Sequence, residues 1–414
     1  MTLKINHVSG AKEAESVRSL VQEEVEGQRA KLIDLSLKIH RNPELGFQEV
    51  RASRWLTGYL RKKGFRIEMG VSVLATAFRA TYGSGKPQIA LMAEYDALPE
   101  IGHGCGHNLI AASAVGAATA AKIAVERYGG TITVLGTPAE EIYGGKAIMA
   151  EQGIFADLDM AMMVHPGNRN AVIIKALACV SLEVEFWGRA AHAAAQPEEG
   201  INALDAVLQS FNAINSLRQH IKSSARVHGI VTDGGEAANI VPAHSAASFL
   251  VRAEDEAYLD VLKERVLNCF QAASLATGAR LEHRWGKTYY APMRSNRTLA
   301  RLFGRNMELL GHKIDWSQRE TGFGSTDMGN VSQLVPSIHP FIAVAPPGVV
   351  THSAEFASYA ASQSGWAGLV LAAKALSLTV CDLLASPRLR QRIWREFRTG
   401  SAEGRQSLGK RGSR

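Results

Sequence analysis

The sequence predicts an α/β protein in which a parallel-rich sheet is covered by helices, with a compact α+β domain inserted into the chain. At 414 residues the chain exceeds one ordinary hydrophobic core, which indicates at least two domains. Apolar runs of strand length alternate with stretches of helical periodicity, and this alternation is typical of a parallel sheet. The pattern of alternating strands and helices changes between Ala178 and Tyr290 and then returns, which indicates an inserted domain.

The first part of the chain begins with two helices. Apolar spacing predicts helices over 11–40 and 47–63, which Asn42-Pro43 separates. Strands are then predicted at QIALMAEYD, TITVLGTPAEE and DMAMMVHP, with a helix from Asn108 to Arg127 and a short helix near Lys146. Because strands and helices alternate here, this part is expected to form the larger domain.

The middle of the chain reads as a domain of its own. Strands are predicted at VSLEVEFWG, ARVHGIVTD, SAASFLVRAED and LEHRW, and helices over 201–220 and 257–277. The earlier pattern then returns with a helix over 298–310, a strand at HPFIAVA and one long helix from Ser353 to Leu384. We therefore predict one domain from 1–177 and 291–414, and an inserted domain from 178–290.

Composition narrows the class of protein. Apolar residues make up 46% and charged residues 21%, as in soluble globular proteins, and no charge-free apolar run of about 18 residues is present. The opening residues lack the pattern of a secretory signal, so a cytoplasmic location is expected. Four scattered cysteines do not suggest a disulfide framework and are available as ligands.

The net charge of +7 is confined to the C-terminal end. Residues 388–414 contain nine Lys or Arg and two Glu, so the remainder of the chain is neutral. No aromatic or Gly-rich recognition pattern accompanies these charges, which argues against a nucleic-acid or membrane partner. The segment is expected to be a solvated or frayed end.

Three predicted strands end in acidic or metal-ligating residues. The first ends at Glu94 and Asp96, the second at Glu140 and Glu141, and the third at His165. Because the carboxyl ends of parallel strands line one crevice, these side chains are expected to converge although they are far apart in sequence. Adjacent carboxylates can divide two tasks beside a metal, where one binds the ion and the other accepts a proton from water.

The segment GHGCGHN, which contains Cys105 and His107, follows the first of these strands at the start of a helix. A Cys-x-His pair flanked by glycines allows ligands and backbone to approach closely. The helix N-terminus is expected to lower the pKa of the Cys105 thiol and favour the thiolate that binds metal. Taken alone, such a pair is more often structural, but each convergent ligand favours a metal site.

At this point the sequence resembles a known family. The segments that carry the resemblance are AEYDALP, GHGCGHN, TPAEE, MVHPG, GRAAHAA, NIVP, GSTDMGNVS and THSAEF. Together they resemble metallopeptidase family 20, subfamily D, which contains aminoacylases, hippurate hydrolases and p-aminobenzoyl-glutamate hydrolases. The resemblance covers nearly the whole chain and implies a dinuclear metallopeptidase catalytic domain with an inserted lid and dimerisation domain.

The resemblance also implies a ligand set for two divalent ions, Zn²⁺ or Mn²⁺. Cys105 would bridge the ions, with His107 and His165 completing one site and Glu141 and His352 the other. Other branches use a His-x-Asp pair on the first strand, where this chain has Glu94-x-Asp96. Asp96 is therefore expected to orient a ligand, and Glu94 is left out of the set. His103 and His339 are expected to be structural or to support the ligands.

Further roles follow from the resemblance. Glu140 would be the general base that activates a metal-bridging hydroxide, and His192 of the partner subunit would polarise the scissile carbonyl. Asn239 and Arg252 would hold the substrate, since a planar guanidinium can bind a carboxylate bidentately. The residues alone leave other roles open. Arg252 could form an ion pair at a strand edge, and His192 could be an ordinary surface histidine. The Gly-rich loop Gly322 to Asn330 lacks the Lys of a P-loop, and its residues Ser325 and Thr326 would face the polar end of the substrate.

The expected function is metal-dependent hydrolysis of the amide bond of an N-acyl, aroyl or aminoacyl amino acid or a dipeptide, by a homodimer. The substrate is a small molecule with a free carboxylate. Three alternatives stay open. They are a cysteine hydrolase with Cys105 as nucleophile and His107 as base, an aminohydrolase (deaminase) acting on an aromatic amine, and a non-catalytic metal-binding protein of the same fold.

Overall fold

The computed structural model of the protein describes residues 2–316 and 324–409, with side chains from 13 to 316 and from 324 to 399. The helices are α1 (Thr2–His40), α2 (Val50–Lys62), α3 (His107–Tyr128), α4 (Gly145–Glu151), α5 (Ala203–Leu217), α6 (Glu256–Thr277), α7 (Arg297–Leu309), α8 (Met328–Leu334), α9 (Ala354–Ala360), α10 (Gln363–Ala385) and α11 (Pro387–Gly409). The strands are β1 (Arg66–Met69), β2 (Phe78–Ser84), β3 (Gln88–Glu94), β4 (Gly130–Thr137), β5 (Met160–Met162), β6 (His165–Gly167), β7 (Ala178–Trp187), β8 (Arg226–Asp233), β9 (His244–Ala253), β10 (Arg280–Tyr290), β11 (Ser337–Ile338) and β12 (Phe341–Ala343).

The chain divides into two compact units. Within the described residues, the first comprises 2–175, 294–316 and 330–409, and the second comprises 176–293 and 324–329. Each has its own hydrophobic core. The first unit is therefore discontinuous in sequence.

A mixed six-stranded sheet forms the centre of the first unit, in the order β1-β2-β4-β3-β5-β11. The strands β4, β3, β5 and β11 are parallel, whereas β2 is antiparallel to β4 and β1 to β2. Every side chain of β4 is buried, as in a strand covered on both faces. The parallel strands bring the carboxyl ends of β3, β4 and β5 to one edge, so the predicted parallel-rich α/β fold is confirmed.

The structure differs from the expectation in two additional antiparallel strands at one side of the sheet and in one break within a predicted helix. The strands β1 and β2 are short or partly exposed, and they lack the continuous apolar run that reveals a central strand. The single helix predicted from Ser353 to Leu384 is instead the pair α9 and α10. The break occurs because Ser362 starts a new helix, in which its side chain accepts a hydrogen bond from the Gly365 amide.

Small residues allow the helices of the first unit to pack closely. The helix α3 packs against both α1 and α10. At Gly116 of α3, a Cβ atom would lie 2.6 Å from Cδ1 of Leu32 on α1, so a larger residue would require the Leu32 side chain to shift. Both α3 and α10 are long and apolar enough to cross a membrane, but 89% and 83% of their most apolar windows are buried inside the fold. Packing in the core accounts for their composition.

The basic C-terminal segment is not a frayed end over its described side chains. In α11, Ile393 is fully buried and packs into the core of the first unit. The Glu396 carboxylate accepts hydrogen bonds from the backbone amides of Arg297 and Thr298 at the start of α7. The expectation of a solvated tail was therefore wrong for residues 388–399, because apolar and capping residues alternate with the arginines.

The second unit is a four-stranded antiparallel sheet with two helices. The strand order is β10-β7-β9-β8, and α5 and α6 pack against β7 and β9. Burial alternates along β9, as expected for a strand with one covered face. Phe249, Phe270 and Phe186 are among its largest fully buried side chains.

Candidate metal centre

The predicted metal ligands converge at the carboxyl ends of the central strands. Glu141 follows β4, His165 begins β6 just after β5, and Cys105 and His107 stand at the start of α3 after β3. The backbone amide of His352, which precedes α9, donates a hydrogen bond to the Gly104 carbonyl at 2.8 Å. This hydrogen bond connects His352, the fifth predicted ligand, to the loop that carries Cys105.

The donor atoms of these residues form overlapping triplets. One triplet is Cys105, His107 and His165, and another is Cys105, Glu141 and His352. Within each triplet the potential ligand atoms lie within 4.8 Å of one another. Cys105 belongs to both triplets, which is the arrangement that a bridging ligand requires. A further triplet joins Glu140 to His107 and Glu141.

Several buried donor atoms of the cluster lack hydrogen-bond partners. Among the described residues, His107 Nε2, Glu141 Oε1 and Glu94 Oε2 are buried without one. The His107 Nε2 atom lies 3.7 Å from Glu141 Oε1 and 3.6 Å from Glu94 Oε2. An orphaned buried polar atom costs about 1–3 kcal/mol, so several together indicate a missing partner. A divalent cation fits these residues because it would satisfy imidazole, carboxylate and thiolate atoms at once.

The hydrogen bonds of the two histidines set their tautomers. His165 Nδ1 lies 2.7 Å from the Pro166 carbonyl, and a carbonyl can only accept, so Nδ1 is the donor. The lone pair is then on Nε2, which lies 3.4 Å from Cys105 Sγ. Similarly, His107 Nδ1 donates to Asp96 Oδ1 at 2.9 Å. In the neutral ring its Nε2 then presents a lone pair to the cluster.

The thiol of Cys105 corrects one expectation. We expected the helix N-terminus to lower its pKa, but burial and the nearby Glu141 carboxylate raise the pKa well above its ordinary value. Burial is the largest cause of this shift, since the residue is only 7% exposed. A thiolate at this position therefore requires a bound cation to stabilise it.

The remaining charges also favour a cation. Burial lowers the pKa of His107, but the charge and the hydrogen bond of Asp96 raise it, and this pKa lies well above its usual range. Burial raises the pKa of Glu141, although His107 and His352 oppose this effect. The surroundings of His107 thus stabilise positive charge at the centre of the cluster.

Asp96 and Glu94 both lie beside the imidazole of His107. Asp96 contacts His107 through Oδ1 and accepts a hydrogen bond from the Glu141 amide through Oδ2 at 3.0 Å. Glu94 forms a buried ion pair with Lys146, and both side chains are fully buried. Lys146 was not identified from the sequence, because a lysine near a short helix gives no signal of burial beside a carboxylate.

The other predicted site residues belong to the second unit. His192 is exposed, and its Nδ1 accepts hydrogen bonds from the backbone amides of Ala194 and Ala195 at 3.3 and 3.2 Å. Asn239 is exposed, and its backbone carbonyl accepts a hydrogen bond from the Ala193 backbone amide at 3.0 Å. The segment that follows His192 is therefore tied to the one that carries Asn239.

Arg252 lies close to the Gly-rich loop. Its Nη1 is 3.3 Å from Ser325 Oγ, and its buried Nε has no hydrogen-bond partner among the described residues. Thr326 is 6% exposed, and its hydroxyl accepts a hydrogen bond from the Met328 amide. Residues 322 and 323, at the start of this loop, lie outside the described residues.

Thiol, imidazole and carboxylate donors that meet at the strand ends of one sheet form a candidate metal centre in an α/β protein. The chain belongs to peptidase family M20/M25/M40, whose model matches residues 90–374. It is 36% identical over 406 residues to the Xaa-Arg dipeptidase of Mus musculus, with 94% of each chain covered. It is 29% identical over 460 residues to one of the subunits of p-aminobenzoyl-glutamate hydrolase from Escherichia coli (strain K12), covering 92% of this chain and 95% of that one.

The fold comparison agrees with the family. A dinuclear metal binding peptidase of the M20 family from Bacillus subtilis superimposes with a TM-score of 0.66 at 19% sequence identity. The match covers 87% of this chain and 99% of that one. The family model and the curated relatives confirm the family resemblance in the sequence and the predicted hydrolytic class.

Proposed function

We propose that the protein is a metal-dependent amidohydrolase that cleaves an amide bond between an acyl, aroyl or aminoacyl group and an amino acid. The observation that carries this proposal is the meeting of five donor residues with a sixth group, Glu140, at one sheet edge. A binding protein needs ligands but no additional carboxylate beside them. The curated relatives act on related bonds, since one is named a dipeptidase and another a hydrolase of p-aminobenzoyl-glutamate.

The proposed ligands of two divalent ions, Zn²⁺ or Mn²⁺, are Cys105, His107, Glu141, His165 and His352. Bound there, the ions would polarise the scissile carbonyl and lower the pKa of the attacking water. The mixed set of S, N and O donors suits either ion. Asp96 would hold His107 in the required tautomer and Glu141 in the required orientation.

Glu140 moves the proton in this proposal. Its carboxylate would accept a proton from the attacking water as the C–O bond forms. It would then deliver that proton to the nitrogen of the leaving amine as the C–N bond breaks. The neighbouring Glu141 is committed to the ions, so the adjacent pair divides ligation from proton transfer.

The substrate class follows from the second unit and from the relatives. We propose that Arg252 and Asn239 bind a free carboxylate on the leaving amino acid, with Ser325 and Thr326 at its polar end. The guanidinium Nε of Arg252 is a buried donor without a partner among the described residues, which suits an anionic ligand. His192 of the partner subunit would stabilise the oxyanion in a homodimer. A cytoplasmic location stays a prediction.

The cysteine hydrolase alternative is disfavoured by the surroundings of Cys105. The thiol is buried, and burial together with Glu141 raises its pKa, which is the opposite of what a nucleophilic cysteine requires. The aminohydrolase alternative would use the same ions and the same water. Product analysis separates the two, because deamination of an aromatic amine releases ammonia and amide hydrolysis releases an amino acid.

A metal-reconstitution experiment tests the proposal. The purified protein is stripped with a chelator, divided, and loaded with Mn²⁺, Zn²⁺ or Co²⁺. Each portion is then assayed against a panel of N-acyl amino acids, aroyl-glutamates and dipeptides. We expect activity to disappear on chelation and return with metal, and Tm to rise with metal because a ligand at 100 times its Kd stabilises by about 2.7 kcal/mol. Activity that survives exhaustive chelation but is lost on thiol alkylation would support the cysteine hydrolase instead.

A further inference from the structure

The loop that carries Glu140 and Glu141 begins in an unfavourable backbone conformation. Ala139, the residue before Glu140, has a φ of 58°, in the left-handed region that residues with a Cβ rarely adopt. Such a conformation persists only where the surroundings hold it in place. Groups from outside the loop must therefore stabilise this turn of the chain.

Two buried carboxylates bind the backbone on either side of Glu140. On one side, Glu49 Oε1 accepts a hydrogen bond from the Ala139 amide at 2.9 Å. On the other side, Asp96 Oδ2 accepts a hydrogen bond from the Glu141 amide at 3.0 Å. The residues on both sides of the proposed general base are thus each held by a hydrogen bond from their backbone amide to a buried carboxyl group.

Glu49 is itself held rigidly from its other oxygen. Its side chain is fully buried, and Oε2 accepts a hydrogen bond from the Thr76 hydroxyl at 2.9 Å. The Tyr95 hydroxyl in turn donates to the Thr76 carbonyl at 2.6 Å. Because each partner is fixed by another, the position of Oε1 is determined by the core and not by the loop that it holds.

The segment around Glu49 packs against the same loop at two further points. A Cβ at Gly46 would lie 2.9 Å from the Cβ of Ala139, so only glycine permits this approach. The Phe47 ring stacks on the Tyr143 ring with centroids 4.9 Å apart. The connection between α1 and α2 therefore acts as a support for the loop after β4.

The obvious alternative role for Glu49 is capping of its own helix, which it does not fulfil. It is the N-cap residue of α2, yet its side chain makes no capping hydrogen bond. Glu44 does this instead, since its carboxylate accepts hydrogen bonds from the amides of Arg51 and Ala52 at 3.0 Å. The connection between α1 and α2 thus carries two carboxylates with different tasks, since Glu44 caps α2 and Glu49 holds the loop after β4. Glu44 is therefore a matched control for substitutions of Glu49.

We propose that Glu49 is a positioning residue that fixes the orientation of Glu140 by holding the Ala139 amide. This inference rests on the proposed function, because it assigns a task to the residue that supports the proposed base. Burial, with a contribution from Asp96, raises the pKa of Glu49 to about 7. The hydrogen bonds from Thr76 and Ala139 compensate part of the cost of burying this carboxyl group.

Length and charge are separated by two conservative substitutions. Glu49→Gln keeps the length and an acceptor oxygen but removes the charge, whereas Glu49→Asp keeps the charge but is one methylene too short to reach Ala139. If position matters, kcat for Glu49→Gln stays within about threefold of the parent and kcat for Glu49→Asp falls ~10- to 100-fold, because a displacement near 1 Å is costly at a reacting group. We expect KM and metal content to change little in both variants. The control Glu44→Gln should lower Tm without changing kcat.

Hydrogen–deuterium exchange provides a readout that does not depend on any activity. In the metal-free and the metal-loaded protein, Glu49→Asp should speed exchange at the Ala139 amide, and Glu49→Gln should not. Unchanged exchange and unchanged kcat in Glu49→Asp would overturn the proposal, as would equal losses of kcat in all three variants. If no amide substrate is found, faster exchange at Ala139 still supports the positioning role, so failure of the proposed function is recognised separately.

Discussion

Glu141 Oε2 and His352 Nε2 lie 3.3 Å apart, although one residue follows β4 and the other precedes α9. Their approach depends on backbone that the chain adopts with difficulty, since His352 has a φ of 64°. Glu141 is almost fully buried, whereas the His352 side chain is 53% exposed. The pair therefore connects the interior of the cluster with solvent, where a substrate would enter.

The first prediction separates the roles of the adjacent glutamates. Glu140→Gln is expected to lower kcat by about 10²- to 10⁴-fold, the usual contribution of a general base, while metal content stays near that of the parent. Glu141→Gln is expected to lose metal as well, because a carboxamide is a weaker ligand than a carboxylate. Metal stoichiometry and kcat are measured on the same preparations. Substantial turnover by Glu140→Gln would show that another group moves the proton.

The second prediction concerns stability and pH. Burial lowers the pKa of His103 to about 3, and the positive charges of His107 and His40 contribute. In the unfolded chain His103 binds a proton near its ordinary pKa of about 6.5. As pH falls below about 6.5, the unfolded state therefore gains protons that the folded state does not. This contribution to the free energy of unfolding is fully present above pH 6.5 and declines as pH falls toward 3.

Urea unfolding of the metal-free protein at pH 7 and pH 4.5 measures this effect. We expect replacement of His103 by Gln to reduce the loss of stability between the two values by roughly 2–3 kcal/mol, the linkage contribution over about two pH units. His220→Gln is the control, because His220 is exposed. If both variants lost stability as steeply as the parent, His103 would not be buried in its neutral form.

The third prediction is that a free carboxylate on the substrate is recognised by Arg252. An N-acyl amino acid should be preferred over its carboxamide by roughly 1.5–3 kcal/mol in kcat/KM, the range for a hydrogen bond to a charged group. Arg252→Ala should abolish this preference. Arg226→Ala is a matched control, because Arg226 faces Arg252 in the β8–β9 register but is exposed. Equal rates for the acid and the carboxamide with the parent enzyme would return Arg252 to a structural role.

The fourth prediction is that the enzyme is a symmetric dimer in which His192 serves the partner's active site. Homodimers of Glu140→Ala and of His192→Ala should each be nearly inactive. Unfolding and reassembling an equal mixture should restore activity to about a quarter of the parent value, because half of the dimers are mixed and each has one intact site of two. Mass measurement verifies that mixed dimers form. No recovery in their presence would place His192 in its own chain's chemistry or outside the reaction.

Much of the site was accessible from sequence because its residues follow strand ends. Glu141 and His165 follow apolar runs, and the Cys105–His107 pair stands where the helix after the first of these runs begins. Parallel strands bring such positions together whatever lies between them. Glu49 gave no comparable signal. An acidic residue just before a helix reads as a cap, and only the packed structure shows that its carboxylate is turned to Ala139 instead.

The sequence by itself determined the alternation of helices with the central parallel strands, the family, and the chemical types that gather at the sheet edge. Periodicity and motif spacing are local properties, so they can be read without coordinates. The tertiary structure decided the protonation and partnership of those groups. It buried Cys105 so that its pKa rises instead of falling, and it paired Glu94 with Lys146. Desolvation and long-range contacts depend on what the whole chain packs around a residue, and no local pattern records that.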